Sequence, residues 1–415
     1  MSETKRPTSM LEAVKAINNA RKNQVLTSGS LIPECKRCSM GTMSADYALY
    51  GGIPEGKITQ FAGESHSGKS LMALFCMAMY QKKYPDKVNV YIDAEETLVG
   101  QIEWMAQATG LDVNHNFLRY DCTGLSAEEI FDDIYDTMMP TEDIGMIIID
   151  SAPALISKDE LEAKISEDKG QRASIAKPLG RFTKKMVHAL ARRGNPMIII
   201  NHTRPAGKTY TGATIYTEPC GYALNFFPTI KVRFGKRTFT KGDKIDIAQS
   251  LIKKPEDSDG ICLTFSVTKN KIGACDRSGG KIILRKDNYE GGAGVDLITD
   301  LFEIITTGKI ARLDGNTWYL EDPYTREPYI DDETGMPIKC GSRDKLKAYL
   351  REHPDFTKMY SEAVSNYINQ TGSGVSLLSD AEIKAITDVD KSVDENLDKS
   401  EYDPDKDKNE EGDEK

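Results

Sequence analysis

Short apolar runs, each closed by a polar or acidic residue, organise the middle of the chain: KITQFAG (57–63), NVYIDAE (89–95), MIIID (146–150) and PMIIINH (196–202). Near-continuous runs of this length read as strands buried on both faces. Segments such as Ser70 to Lys82 and Lys177 to Arg193 read as the helices between them. Strand–helix alternation from about residue 43 to 235 predicts an α/β fold with a mostly parallel central sheet, whose ligands bind beyond the carboxyl ends of its strands. Further strands are expected at 228–235, 261–268 and 281–286, as an antiparallel or mixed extension. The polar stretch 237–260 reads as an exposed excursion, and 296–306 and 344–367 as helices of a smaller C-terminal unit. Near the N-terminus, Ser9 and Glu12 resemble a capping box, and Leu11, Val14, Ala16, Ile17 and Ala20 form one apolar stripe. A short amphipathic helix there needs a surface to pack on, either its own domain or a neighbouring subunit.

At 415 residues the chain is long enough for one large α/β domain with smaller appendages. It has no uncharged apolar run that could span a bilayer and no secretory signal, so it is expected to be soluble, free of membranes and cytoplasmic (the host cytoplasm if phage-encoded), with its eight cysteines as thiols. Cys35 and Cys38 form a CxxC, but no second pair follows at zinc-site spacing. The net charge of −10 argues against a surface that coats nucleic acid everywhere. Residues 388–415, however, hold thirteen acidic and five basic residues, which leaves about −2 for the rest. So acidic a tail, nearly free of aliphatic residues, is expected to be disordered, and a local basic groove elsewhere is compatible with the composition.

The most specific motif is GESHSGKS: Gly63, Glu64, Ser65, His66, Ser67, Gly68, Lys69 and Ser70 fit G-x-x-x-x-G-K-[ST], between a strand and an apolar helix. Glycines let successive backbone N–H groups turn toward a phosphate, Lys69 reaches the terminal phosphates, and the Ser70 hydroxyl can ligate Mg²⁺. ATP and Mg²⁺ are therefore the expected cofactors. Asp150, closing MIIID, fits the carboxylate that holds the Mg²⁺, and Glu95, closing another strand, is placed to orient an attacking water.

Together, GGIPEGKITQFAGESHSGKS, YIDAEET, IIIDSAPALISKDELEA, IIINHTRP, TKNKIG and LRKDNYEGGAGVDLITDLFEIITTGKI resemble the RecA family over about residues 43 to 320. The resemblance implies an ATP-dependent recombinase, a DNA-dependent ATPase that forms helical filaments of its own copies on single-stranded DNA and exchanges strands with homologous duplex DNA. Single-strand-binding and loader proteins would be further partners. It makes Glu95 the catalytic base. It also makes His202 the sensor of the γ-phosphate, as in phage UvsX-like members, where bacterial members have glutamine. The run 343–364 also looks like the C-terminal region of those phage proteins.

The family's DNA-binding loops fall on 157–173 and 203–221. The second carries Arg204 and Lys208 interleaved with Tyr210 and Tyr216, cations for phosphates and flat rings for bases, with no regular period. Arg172 and Arg181 are similar to arginines beside the first loop. Lys269 and Lys271 match a lysine pair that reaches the neighbouring subunit's nucleotide. Spacing departs from the family after Glu95, so the adenine-stacking aromatic is assigned to Trp104 without support from alignment, and the CxxC and 237–260 are unexplained by the resemblance. The implied organisation is an N-terminal oligomerisation segment (1–42), an ATPase core (43–290), a C-terminal domain (291–387) and the tail (388–415). Two other classes share the core motifs: a ring helicase, which generally uses an arginine finger where TKNKIG supplies lysines, and a non-catalytic filament modulator, against which Lys69, Glu95 and Asp150 argue.

Overall fold

The computed structural model describes residues 10–21, 34–164, 175–212, 214–237, 260–273, 279–285, 294–331 and 334–371. All of them belong to the unit Met1–Ser373; the unit Gly374–Lys415, with the acidic tail, lies outside them, as do Ser9 of the capping box and most of the 237–260 excursion.

Nine strands build the central sheet: β1 (Ile58–Gly63), β2 (Val88–Asp93), β3 (Phe117–Asp121), β4 (Ile144–Asp150), β5 (Met197–His202), β6 (Ile230–Arg237), β7 (Gly260–Asn270), β8 (Gly279–Arg285) and β9 (Gly294–Val295). Their order is β9-β8-β7-β6-β1-β5-β4-β2-β3. The six strands from β6 to β3 pair in parallel, and β6 to β9 pair antiparallel. This is the expected mostly parallel sheet with an antiparallel extension.

The isoleucine-rich runs form the centre because helices cover both faces. All seven residues of β4 are buried. Ile148 packs with Phe61, Met72 and Ile198 on one face, and Ile147 and Ile149 pack with Leu179, Phe182 and Met186 on the other. Truncating Ile148 to alanine in such a layer costs about 2–5 kcal/mol.

Helix α1 (Met10–Arg21) is the N-terminal amphipathic segment. Helix α2 (Lys69–Lys83) starts directly on the phosphate loop and ends on Lys82 and Lys83, cations that complement its C-terminal dipole. Helix α3 (Ala176–Arg193) covers the opposite face and stops at Gly194, whose φ of +86° closes the last turn. Helix α4 (Ala223–Phe226) is a single turn before β6.

The C-terminal unit mixes helix and strand. A three-stranded sheet (Arg312–Asp314, Thr317–Tyr319, Lys339–Cys340) packs with the helices Leu297–Thr307, Arg343–Glu352 and Pro354–Thr371 around Leu301, Ile305, Trp318, Leu346, Tyr360 and Val364. The single helix expected over 344–367 is two, divided at His353 before Pro354, which cannot continue the first helix's hydrogen bonds. Asp300 joins this unit to the core: its carboxylate accepts from the backbone N–H of Met43 (2.6 Å) and Ser44 (3.1 Å), the first turn of the helix Met43–Ala48.

Candidate nucleotide site and its surroundings

The carboxyl ends of β1, β2, β4 and β5 lie side by side. In register, Gly63 pairs with His202 and Asp93 with Asp150. Between strand and helix the loop turns through His66 (φ +60°) and Gly68 (φ +84°). A Cβ on Gly63 would meet Ser67 Oγ at 2.5 Å and the Phe234 carbonyl oxygen at 2.6 Å, and one on Gly68 would meet Leu263 at 2.5 Å. Glycine is thus required twice, by close approach and, at Gly68, also by the left-handed backbone. Glu64, Ser65 and His66 are exposed, while Ser67 and Lys69 are buried.

Lys69 Nζ donates to the Glu64 carbonyl oxygen at 2.7 Å, folding the ammonium over its own loop. Burial pulls its pKa below the ordinary lysine value, and the Asp150 and Glu95 carboxylates oppose this. Asp150 is 1% exposed. Burial raises its pKa, against hydrogen bonds from the Ser70 and Tyr91 hydroxyls. The pairing of Ser70 and Asp150 supplies the oxygen donors a hard cation such as Mg²⁺ prefers, next to a loop shaped for phosphate. Across from them, Glu95 Oε1 lies 2.7 Å from His202 Nε2 and accepts from Ser151 Oγ. The His202 contact is the main influence lowering the Glu95 pKa, helped by Ser151 and Lys69 against burial. An ionised, oriented carboxylate beside a phosphate loop can take a proton from water.

Tyr91 and Ser151 were not singled out from the sequence. Tyr91 lies two residues before Asp93 on β2, so strand alternation was the available signal for it, whereas Ser151 follows the end of β4 and only its adjacency to Asp150 marks it.

The second candidate DNA segment departs from the irregular loop expected. Arg204–Lys208 pairs antiparallel with Thr214–Thr217 as a β-hairpin. Thr214, Ile215, Tyr216 and Thr217 are β-formers, and Gly212 (φ +82°) makes the turn. Arg204, Lys208 and Tyr210 are exposed. Tyr216 is half-buried, with the Arg233 guanidinium 5.4 Å from its ring centre, so its ring is engaged within the protein.

Arg181 is exposed on α3, beside Glu128, Asp132 and Lys185. Arg172 lies outside the described residues. Trp104, on the helix Ile102–Thr109, is half-buried and packs against the core. Cys35 is half-buried, while Cys38 lies in the core beside the Cys76 carbonyl oxygen. Their thiols occupy different environments, and among the described residues no group of three or more His, Cys, Asp or Glu is placed to hold a metal ion.

Lys269 and Lys271 sit on the C-terminal carbonyls of α4. Lys269 Nζ donates to Asn225 O (2.5 Å) and Phe226 O (3.1 Å), and Lys271 Nζ to Phe226 O (2.7 Å). Burial, with Lys271 and Lys231 nearby, lowers the Lys269 pKa to about 8. Register places this pair at the far end of the sheet from the chain's own phosphate loop. Gly63 is level with Phe234 and Phe265, whereas Thr59 is level with Ile230 and Asn270. Four strand positions separate the two levels, roughly 13 Å.

This sheet, loop and carboxylate arrangement defines an α/β protein of the phosphate-loop class. Residues 10–274 match the RecA N-terminal domain family, and the chain belongs to the RecA family. It is 27% identical to Protein RecA of Aquifex aeolicus over 336 residues (81% of this chain, 85% of that protein) and 26% identical to that of Arthrospira platensis over 366 residues (87% of each). It is also 27% identical to the mitochondrial DNA repair protein recA homolog 3 of Arabidopsis thaliana over 285 residues, 68% of this chain and 60% of that protein. Among the described residues no helix is long and apolar enough to cross a membrane.

Proposed function

We propose that this protein is an ATP-dependent DNA recombinase of the UvsX-like, phage type, which assembles as a helical filament on single-stranded DNA and exchanges strands with homologous duplex DNA. The observation that carries the reading is the cluster at the strand ends: Glu95 held by His202 and Ser151, with Lys69, Ser70 and Asp150 beside it. In this reading Gly63 to Ser70 bind the phosphates of ATP, Ser70 and Asp150 hold Mg²⁺, Glu95 is the base that accepts a proton from water, and His202 holds Glu95 and senses the γ-phosphate. Bound Mg²⁺ would neutralise phosphate charge. The histidine at the end of β5 favours the phage-type assignment.

Arg204, Lys208 and Tyr210 on the exposed hairpin serve single-stranded DNA, and the distance of Lys269 and Lys271 from their own phosphate loop supports action on the neighbour's nucleotide. Residues 1–42 join protomers, 43–290 form the ATPase core, 291–387 the C-terminal domain and 388–415 an acidic tail. Electron microscopy of the protein with ATP and single-stranded DNA tests the assembly. Helical filaments that need both are expected; closed hexamers formed without DNA would overturn the reading in favour of a ring helicase.

A further inference from the structure

The residue that follows the hairpin, Glu218, is a junction between three parts of the candidate machinery. Its Oε2 accepts from Gln60 Nε2 at 2.8 Å and from Lys231 Nζ at 2.7 Å. Gln60 is fully buried on β1, three residues before the phosphate loop begins at Gly63. Lys231 lies on β6, directly opposite Lys269 on β7. The ion pair is largely withdrawn from water, with side-chain exposures of 13% for Glu218 and 11% for Lys231.

Lys231 Nζ also donates to Asn225 Oδ1 at 2.9 Å, on the turn of helix whose carbonyl oxygens hold Lys269 and Lys271. A second tie runs alongside: Asn201 Nδ2, next to His202, donates to the Pro219 carbonyl oxygen at 3.2 Å.

Charge explains why a carboxylate is needed at this point. Lys231, Lys269 and Lys271 converge on one short helix, and Lys231 and Lys271 both act to lower the Lys269 pKa. Glu218 pairs with Lys231 and thereby offsets one of three crowded cations. Removing one partner of a largely buried pair leaves the other uncompensated, so Lys231 and its Asn225 contact would shift if Glu218 moved. A movement at the hairpin base is thereby passed to the segment carrying the lysine pair through direct hydrogen bonds.

We propose that Glu218 is a positioning residue that couples engagement of the hairpin to presentation of the Lys269–Lys271 pair. The inference rests on the reading of the hairpin as the DNA-binding element and of the lysines as partners of a nucleotide. It predicts reciprocal coupling: nucleotide strengthens DNA binding through this junction, and DNA strengthens nucleotide binding by the same factor.

The test is the affinity of the full chain for a fluorescent single-stranded oligonucleotide, by anisotropy, with and without a non-hydrolysable ATP analogue. The wild type, Glu218→Gln and Asn225→Ala are compared. Asn225 is exposed, so its truncation spares the core; should Glu218→Gln fail to fold, Asn225→Ala decides alone. The wild type is expected to bind DNA about tenfold more tightly with the analogue, within the usual range of coupling between sites. In both variants that ratio falls toward one, while in Asn225→Ala, outside the DNA-binding segment, the affinity without nucleotide stays within about twofold of wild type, a pattern that a general loss of structure would not give. A wild-type ratio well above one that either folded variant retains overturns the coupling and leaves the recombinase reading standing. A wild-type ratio of one overturns the functional reading and the coupling with it.

Discussion

His202 Nε2 and Glu95 Oε1 are 2.7 Å apart, so the last residue of β5 holds the carboxylate that lies just past β2. Glu95→Gln keeps the size and polarity of the side chain but removes its ability to accept a proton. Steady-state ATPase assays should show hydrolysis reduced by about 10²-fold or more, with ATP binding retained and filaments longer-lived.

His202→Ala separates orientation from basicity. Since the His202 contact is the largest cause of the lowered Glu95 pKa, its loss lets that pKa rise. A base must be ionised to act, so the acid limb of the ATPase pH profile should move to higher pH in the variant. An unmoved limb would show that His202 does not tune Glu95.

Lys69→Ala removes the ammonium aimed over the phosphate loop. Hydrolysis should become undetectable and nucleotide binding should weaken, as read by equilibrium titration. Mixing this variant with Lys269→Ala/Lys271→Ala tests the direction of the lysine pair. Each alone should lack DNA-stimulated ATPase, and mixtures should regain part of it because some interfaces combine an intact loop with an intact pair. No recovery at any ratio would mean that the lysines act within their own chain.

The buried junction between core and C-terminal unit predicts a pH dependence of stability. Burial is the main cause that raises the pKa of Asp46 to about 7 and of Asp300 to about 6. A carboxyl raised in the folded state binds its proton more tightly than in the unfolded chain. Its contribution is therefore fully present below the unfolded value of about 3.9 and lost as pH rises through 6 to 7. In thermal melts, the Tm of wild type relative to Asp300→Asn should fall between about pH 4 and 7, by an amount corresponding to about 2 kcal/mol. A constant difference would contradict the assignment.

Much of the fold was legible because its strands are buried on both faces. Ile147, Ile148 and Ile149 leave little choice but a central strand, and the phosphate-loop motif fixes the turn from β1 into a helix. β3 escaped because Phe117, Leu118, Arg119, Tyr120 and Asp121 lie at a sheet edge without a buried run. The hairpin was missed because its Gly, Pro and Thr content masks a pairing that depends on register. Lys69, Asp150 and Glu95 could be picked out one by one, since each lies in the phosphate-loop motif or at the carboxyl end of an apolar run. The Glu218–Lys231 contact could not, because it joins residues thirteen positions apart across a helical turn.

The central claim is homologous strand exchange driven by ATP, and it is tested most directly by joint-molecule formation between circular single-stranded DNA and homologous linear duplex. With ATP and Mg²⁺, wild-type protein should produce joint molecules that are absent without nucleotide, with heterologous duplex, or with Lys69→Ala. Robust DNA-stimulated ATP hydrolysis without homology-dependent joint molecules would contradict the account.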